Sequence, residues 1–301
     1  MTQRILQATT GSISWQPLDG DGEPAEPSGA VTVGVTSSDG STVIAAGTAT
    51  TGSGSDPRTK DLTLAQSAQL EVLTATWKIG SDTVAVTDHW IVGGFLYSIA
   101  DLRTTEPSTA NTAKDPTASL RAARDEVEEL FENATGVPWT PRLVLVRSTR
   151  SVNHDGFQLH TGVRYARALR WCRLWSDEDT YTSLTTDECA SVPPSEGGTL
   201  VLPVSTSGYW QVTAAVEAGY FVGSPVGVQV PSDVRRAAMT AGRVGAQQAR
   251  GGIPDRATSM QLPDGGSVTL ATPGVGRWRT GIPAVDEVLI RRDQRPIGCA
   301  I

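Results

Sequence analysis

ASLRAARDEVEELFENATGVPW, residues 118–139, is the stretch whose reading decides the fold. Leu120, Ala123, Val127, Leu130, Phe131 and Ala134 recur at three- and four-residue steps, so the segment predicts an amphipathic helix with one apolar stripe. Asp115 is the expected N-cap, and Pro116 suits the first turn, where a missing N–H costs nothing. Arg121, Arg124, Asp125, Glu128, Glu129 and Glu132 are expected on a solvated face, with Arg121/Asp125 and Arg124/Glu128 as supporting i,i+4 pairs. Gly136 supplies a left-handed stop and Pro138 bars continuation. Everything before this helix reads as β, and so does most of the next ninety residues, until a second helix opens at Pro231. The simplest architecture is α+β, with a helical core interrupted by a sheet.

Working outward, residues 1–97 read as an all-β module. Apolar or alternating runs occur around Ile13/Trp15, Val31/Val33/Val35, 43–46, Leu62/Leu64, 70–79 and 84–92. Asp39-Gly40 and Gly80-Ser81 separate paired runs as hairpin turns would. Strands at this density predict an immunoglobulin-like sandwich, with Trp77 or Trp90 plugging the core where no cysteine is present. The Gly/Pro/Ser-rich stretches 18–30 and 50–58 are expected as solvated tips. SIADLR, 98–103, suits one helical turn, and 104–116 reads as polar linker.

Beyond the main helix, 143–147, 199–203 and 209–220 read as strands, and 185–192 as a capped helical turn with Asp187 and Glu188 near its start. The run 163–175 is harder. Its arginines at 164, 167, 170 and 173 stand three apart, a spacing that fits neither a regular strand nor a regular helix; strand is the reading adopted. The second helix, about 231–248, presents Val234, Ala237, Ala238, Ala241 and Val244 as a small-residue face for packing on the first. A hairpin around Asp264-Gly265-Gly266 and a helical turn at 283–290 follow. The domains expected are therefore a sandwich at 1–97, a helical core at 98–250 with a β insertion at about 140–230, and a C-terminal arm at 251–301. The arm cannot close a core of its own and must pack on this subunit, a neighbouring copy or another protein.

Composition narrows the function. The chain of 301 residues is 39% hydrophobic, enough for real cores, and no apolar run reaches the ~18 residues of a membrane span. Three widely spaced cysteines, Cys172, Cys189 and Cys299, argue against a disulfide framework and fit synthesis in a reducing cytoplasm. The net charge of −7 hides a polarity. Residues 1–100 hold ten acids against four bases, whereas 231–301 hold ten arginines against six acids. Those arginines are scattered, not blocked, so protein contacts are expected of them before nucleic-acid binding. His89, His154 and His160 have no metal-ligand spacing with the cysteines, and no nucleophile elbow, phosphate loop or paired-acid context occurs. Trp171 and Trp175 could stack bases or sugars, but without flanking lysines a core or interface role is expected. No catalytic residue, metal site or cofactor is predicted.

Three stretches together resemble the head-to-tail adaptor (connector) proteins of long-tailed phages, especially those infecting actinobacteria. The first is LRAARDEVEELFENATGVPWTPR, 120–142, an acidic helix ending in a TGV-x-x-x-PR element. The second is VTAAVEAGYFVGSPVGVQVPSDVRRAAMTAGR, 212–243, a strand, a Gly-Tyr pair and a proline-started helix. The third and most specific is GIPDRATSMQLPDGGSVTLATPGVGRWRTGIPAVDEVLIR, 252–291, similar to the family from end to end. The resemblance spans about 98–295 and leaves 1–97 as an added decoration domain, expected to be separable. It implies a structural virion protein in the head-tail neck, made in the host cytoplasm. It further implies a homo-oligomeric ring, expected twelvefold, beneath the portal protein. Such a ring would offer a platform to the next neck connector or head-tail stopper. It would also extend a channel for double-stranded DNA, which an acidic protein passes without sequence-specific binding. No membrane is involved. Within the arm, Arg256, Arg277, Trp278, Arg279, Ile282, Val285, Leu289, Arg291 and Arg292 are the residues expected to meet the portal or a neighbouring subunit, because buried Arg and Trp dominate interface energies. The alternative reading is a receptor- or carbohydrate-binding tail protein, suggested by tryptophans in the β-module.

Overall fold

The computed structural model describes residues 3–149, 158–220, 230–248, 259–261, 267–269 and 280–293. In chain order the elements are strands β1 (Gln3–Leu6), β2 (Gly11–Trp15), β3 (Val31–Thr36), β4 (Thr42–Ala49), β5 (Arg58–Leu62), β6 (Glu71–Ile79) and β7 (Asp82–Val92). Helices α1 (Ile99–Thr105) and α2 (Thr117–Thr135) follow, then strands β8 (Arg142–Thr149), β9 (Gln158–His160), β10 (Ala166–Trp175) and β11 (Tyr181–Ser183). Helix α3 (Thr186–Ala190), strands β12 (Thr199–Val201) and β13 (Gln211–Ala218), helix α4 (Ser232–Gln248), the hairpin β14 (Ser259–Gln261) and β15 (Ser267–Thr269), and helix α5 (Pro283–Arg291) complete the chain. The class is α+β, as the sequence predicts. Two compact units result: Met1–Gly94 with Thr140–Phe221, and Phe95–Trp139 with Val222–Ile301.

In the first unit, a five-stranded sheet runs β1-β7-β6-β3-β4, with β1 parallel to β7 and the other pairs antiparallel. Period-2 alternation turns Val31, Val33 and Val35 of β3 and Leu73, Ala75 and Trp77 of β6 inward. There they meet Ile13 and Leu62 from the β2–β5 ribbon. Trp77 is the plug: it is fully buried, and its indole N–H donates to Thr87 Oγ1 at 2.9 Å. Trp90 is instead half-buried, with the guanidinium groups of Arg4 and Arg142 at 5.3 and 4.6 Å from its ring centre.

The same unit holds a four-stranded antiparallel sheet, β11-β10-β13-β8. Leu169, Cys172 and Leu174 of β10 and Val212, Ala214 and Val216 of β13 face a core shared with Cys189 of α3. Helix α3 carries a full capping box between Thr185 and Glu188. Strand β10 resolves the odd arginine spacing. Its register with β13 slips once between Ala166 and Ala168 and again between Leu169 and Trp171, so Arg167 and Arg170 are the extra residues of two bulges. Each bulge resets the alternation and leaves an apparent period of three. The strands expected at about 140–230 as an insertion in the helical core group with the N-terminal strands instead. A cluster of Leu70, Val72, Leu143 and Ala215, flanked by Trp90 and Trp171, joins the two sheets.

The second unit is helical. Ser98 caps α1, its Oγ accepting the Asp101 N–H at 2.9 Å. The 104–116 stretch is more than polar linker: it contains a 3-10 turn, Pro107–Thr109, and buries Thr109 and Asp115. Two expectations for α2 are corrected. Its N-cap position is Pro116 with no side-chain cap, whereas Asp115 is buried and its carbonyl accepts from Arg103 Nη2 at 3.1 Å. The polar face is not wholly solvated either, for Arg124, Glu128 and Glu132 are buried beside the predicted apolar stripe. Glu128 Oε1 accepts the Leu96 N–H at 2.7 Å, and the Arg124 guanidinium lies 3.3 Å from the centre of the Phe95 ring. The 95–97 segment thus covers a face that periodicity assigns to water. Gly136 ends α2 in the left-handed region at φ 69°. Helix α4 packs on α2, and α5 packs on both; of the expected small-residue face of α4, Val234, Ala237, Ala238 and Ala241 are buried and Val244 is half-buried.

Candidate docking surface

The run Thr280-Gly281-Ile282-Pro283-Ala284-Val285-Asp286 builds the start of α5 from within. Pro283 occupies the first turn, and Ile282 at the N-cap offers no side-chain acceptor. Asp286 supplies it from inside the helix. Its Oδ1 accepts the Thr280 N–H and Oγ1–H, both at 2.9 Å, and its Oδ2 accepts the Gly281 N–H at 3.2 Å. The carboxylate is 1% exposed, so these bonds are made out of water, where they count most. Sequence reasoning missed this role. The signal was an acid three residues beyond a helix-starting proline, with a Thr-Gly pair just upstream.

The arm residues separate by what they touch. Val285 and Leu289 point inward and are buried, and Ile282 is half-buried. Arg292 makes a forked pair with Asp233 in the first turn of α4, at 3.1 Å from Nε and 2.8 Å from Nη2 to Oδ2 and 3.0 Å from Nη2 to Oδ1. Burial raises the Asp233 carboxyl, but the hydrogen bonds and charge of Arg292, together with the backbone N–H groups of Val234 and Asp233, outweigh it and hold the group below its ordinary range. Arg291 stays at the surface in an i,i+4 pair with Glu287 at 2.6 Å, and Ile290 is 40% exposed. Val285, Leu289 and Arg292 therefore hold α5 to its own unit, leaving Ile290 and Arg291 outward. Arg256, Arg277, Trp278 and Arg279 lie outside the described residues. Helix α4 is further tied by ion pairs of Arg235 with Asp101 and of Arg243 with Glu106.

In the first unit the solvent-facing aromatics gather where β10 and β11 meet. Tyr181 pairs with Trp175 across the hairpin, with ring centres 4.7 Å apart, and is 44% exposed. Trp210 is 37% exposed, and its N–H donates to the Trp175 carbonyl at 3.0 Å. Arg173 lies 4.9 Å from the Trp171 ring centre and 5.0 Å from that of Tyr181, a cation–π sandwich. Trp171 donates to Ser38 Oγ at 3.2 Å and Trp175 to Thr213 Oγ1 at 2.8 Å.

Among the described residues no group of three His, Cys, Asp or Glu side chains could hold a metal ion, and no helix is long and apolar enough to cross a membrane. Burial pushes the Cys172 thiol up to about 12, far from a reactive thiolate.

No family model matches the sequence, and no curated protein does. A chain from a solved structure of the neck of an empty GTA particle, computed with C6 symmetry, is similar at 16% identity and a TM-score of 0.41. The match covers 67% of this chain and 92% of that one.

Proposed function

We propose that this chain is a structural protein of a phage-like particle. In this reading it is a head-to-tail adaptor that assembles as a ring beneath the portal, joins the capsid vertex to the neck and extends the DNA channel. One observation supports the reading above the others. The three stretches that resemble the adaptor family supply α2, α4 and α5, and these helices pack together in one unit. The features that mark those stretches also have structural work there: Gly136 stops α2, the small residues of α4 let it approach, and Asp286 locks the Thr-Gly-Ile-Pro turn. The arm, with Ile290, Arg291 and the segment at Arg277, Trp278 and Arg279, is the part assigned to the portal or a neighbouring copy. The N-terminal sheet, taken as Ig-like, shares a buried cluster with the four-stranded sheet and is assigned with it to the body of the subunit. The tail-receptor reading loses its motive, because Trp77 is buried and Trp15 and Trp90 are half-buried.

Electron microscopy of the purified protein, alone and mixed with portal, tests this. Closed rings stacked on portal are the expected image. Immunogold labelling confined to the tail tip or the capsid facets would sink the proposal.

A further inference from the structure

We infer that the β10–β11 hairpin is the receptor for the arginine-tryptophan segment Arg277-Trp278-Arg279 of a second copy; the inference rests on the ring reading above. The hairpin presents two properties side by side. Tyr181 and Trp210 hold apolar rings in solvent at 44% and 37% exposure, whereas Trp77 and Trp139 are buried and Trp15, Trp90, Trp171 and Trp175 are half-buried. The turn between the strands carries Asp177, Glu178 and Asp179, all exposed. Asp177 is used locally, its Oδ1 accepting the N–H groups of Asp179 at 3.0 Å and Thr180 at 2.7 Å. Glu178 and Asp179 have no ion-pair partner among the described residues. A rim of exposed rings beside free carboxylates suits a guanidinium that stacks and pairs at once. This aromatic face already takes one guanidinium, that of Arg173 between Trp171 and Tyr181.

Charge complementarity selects the occupant. Basic residues are concentrated at the C-terminal end of the chain, and the arm places two arginines around one tryptophan at 277–279. Two guanidinium groups match the two unpaired carboxylates, and an indole matches the exposed rings. A chain that carries both halves of such a contact associates head to tail, and closure of that pattern gives a ring. Trp171 and Arg173 belong to the fold, so Tyr181, Trp210, Glu178 and Asp179 are the surface left for binding.

Charge reversal in the full chain tests this. One variant carries Glu178→Lys and Asp179→Lys, leaving Asp177 to hold the turn. The other carries Arg277→Glu and Arg279→Glu. Each alone should weaken self-association, measured by analytical ultracentrifugation in the presence of portal, by roughly tenfold or more. An equimolar mixture of the two should restore it, since every contact in alternating order then pairs opposite charges. Circular dichroism and melting temperature of the Glu178→Lys/Asp179→Lys variant should stay at wild-type values, because both side chains are exposed in the β10–β11 turn. Wild-type association by both variants would overturn the hairpin contact while leaving the ring reading standing. Rescue only when both reversals sit in one chain would overturn it too, by showing the segment bound within its own copy. A wild-type chain that stays monomeric even on portal would remove the ring reading and this inference together.

Discussion

His89 is the residue with the largest chemical consequence for its size. It sits on β7 at 2% exposure, with Nε2 2.9 Å from Thr87 Oγ1, which already accepts the Trp77 indole. Burial pushes its pKa down to about 4, against the opposing pull of Asp88. The unfolded chain binds a proton near pH 6.5 that the folded chain refuses until about pH 4. Stability contributed this way is full above the higher value and lost progressively as pH falls through the window. About 2 kcal/mol should be gone by pH 5. Urea midpoints at pH 7 and 5 check this, and His89→Gln should flatten the difference; an unchanged slope would place the titration elsewhere. The Asp39 carboxyl is held low by the Ser37 hydroxyl and the Ser41 N–H, so its loss comes only at more acid pH. Gly242 is the second decisive residue. A Cβ there would lie 2.0 Å from the hydroxyl oxygen of Tyr97, which is itself buried. Helix propensity favours alanine by about 1 kcal/mol, but overpacking costs about 1–3, so Gly242→Ala should lower the melting temperature. Gly245→Ala, with open space around its Cβ, should raise it. The pair of melts separates packing from propensity.

At the scale of elements, α5 depends on a carboxylate that no periodicity points to. Asp286→Ala removes the acceptor for three donors at the Thr280-Gly281 turn and should cost about 1–3 kcal/mol of local stability. Hydrogen exchange should show it as faster exchange in α5, with the β-sheets unchanged. Arg291→Ala removes only an exposed pair and should leave protection where it was. Equal protection in Asp286→Ala would mean that Val285 and Leu289 alone hold the helix. How far such elements were legible follows from the range of the forces involved. The stripe of α2, the Gly136 stop, the Thr185–Glu188 cap and the antiparallel pairing of β14 with β15 are local, and the sequence displays them. The burial of Arg124 and Glu128 is not local, since it depends on Phe95 and Leu96 thirty residues away. Strand β10 was legible as a strand but not as a bulged one, because its register is set by a partner strand about forty residues on. Of the arm, the apolar turn at Ile282, Val285 and Leu289 was readable, whereas the Arg292–Asp233 fork needed the packing of α5 on α4.

For the whole molecule, the consequential fact is which segments share a core. Sequence alone suggested that residues 1–97 could be removed as a separate module. The contacts argue that the strands after the main helix depend on it. Leu143 and Ala215 are 2% and 0% exposed in a cluster completed by Leu70 and Val72. Polar contacts run alongside: Arg173 donates to the Asp39 carbonyl at 2.6 Å, Trp171 to Ser38 Oγ at 3.2 Å, and Arg170 to Gln69 Oε1. A chain beginning at residue 95 would bare this apolar face and strip those donors of their acceptors, a combination that favours aggregation. We therefore expect 95–301 to be poorly soluble or to bind a hydrophobic dye at room temperature. Leu70→Asp in the full chain should lower the melting temperature of the four-stranded sheet as well as its own. The two outcomes can be told apart by tryptophan fluorescence, because Trp171 reports from the second sheet and Trp77 from the first. A soluble 95–301 fragment with cooperative melting and intact assembly would show that the second sheet closes its own core. The shared cluster would then be a docking contact between two finished domains.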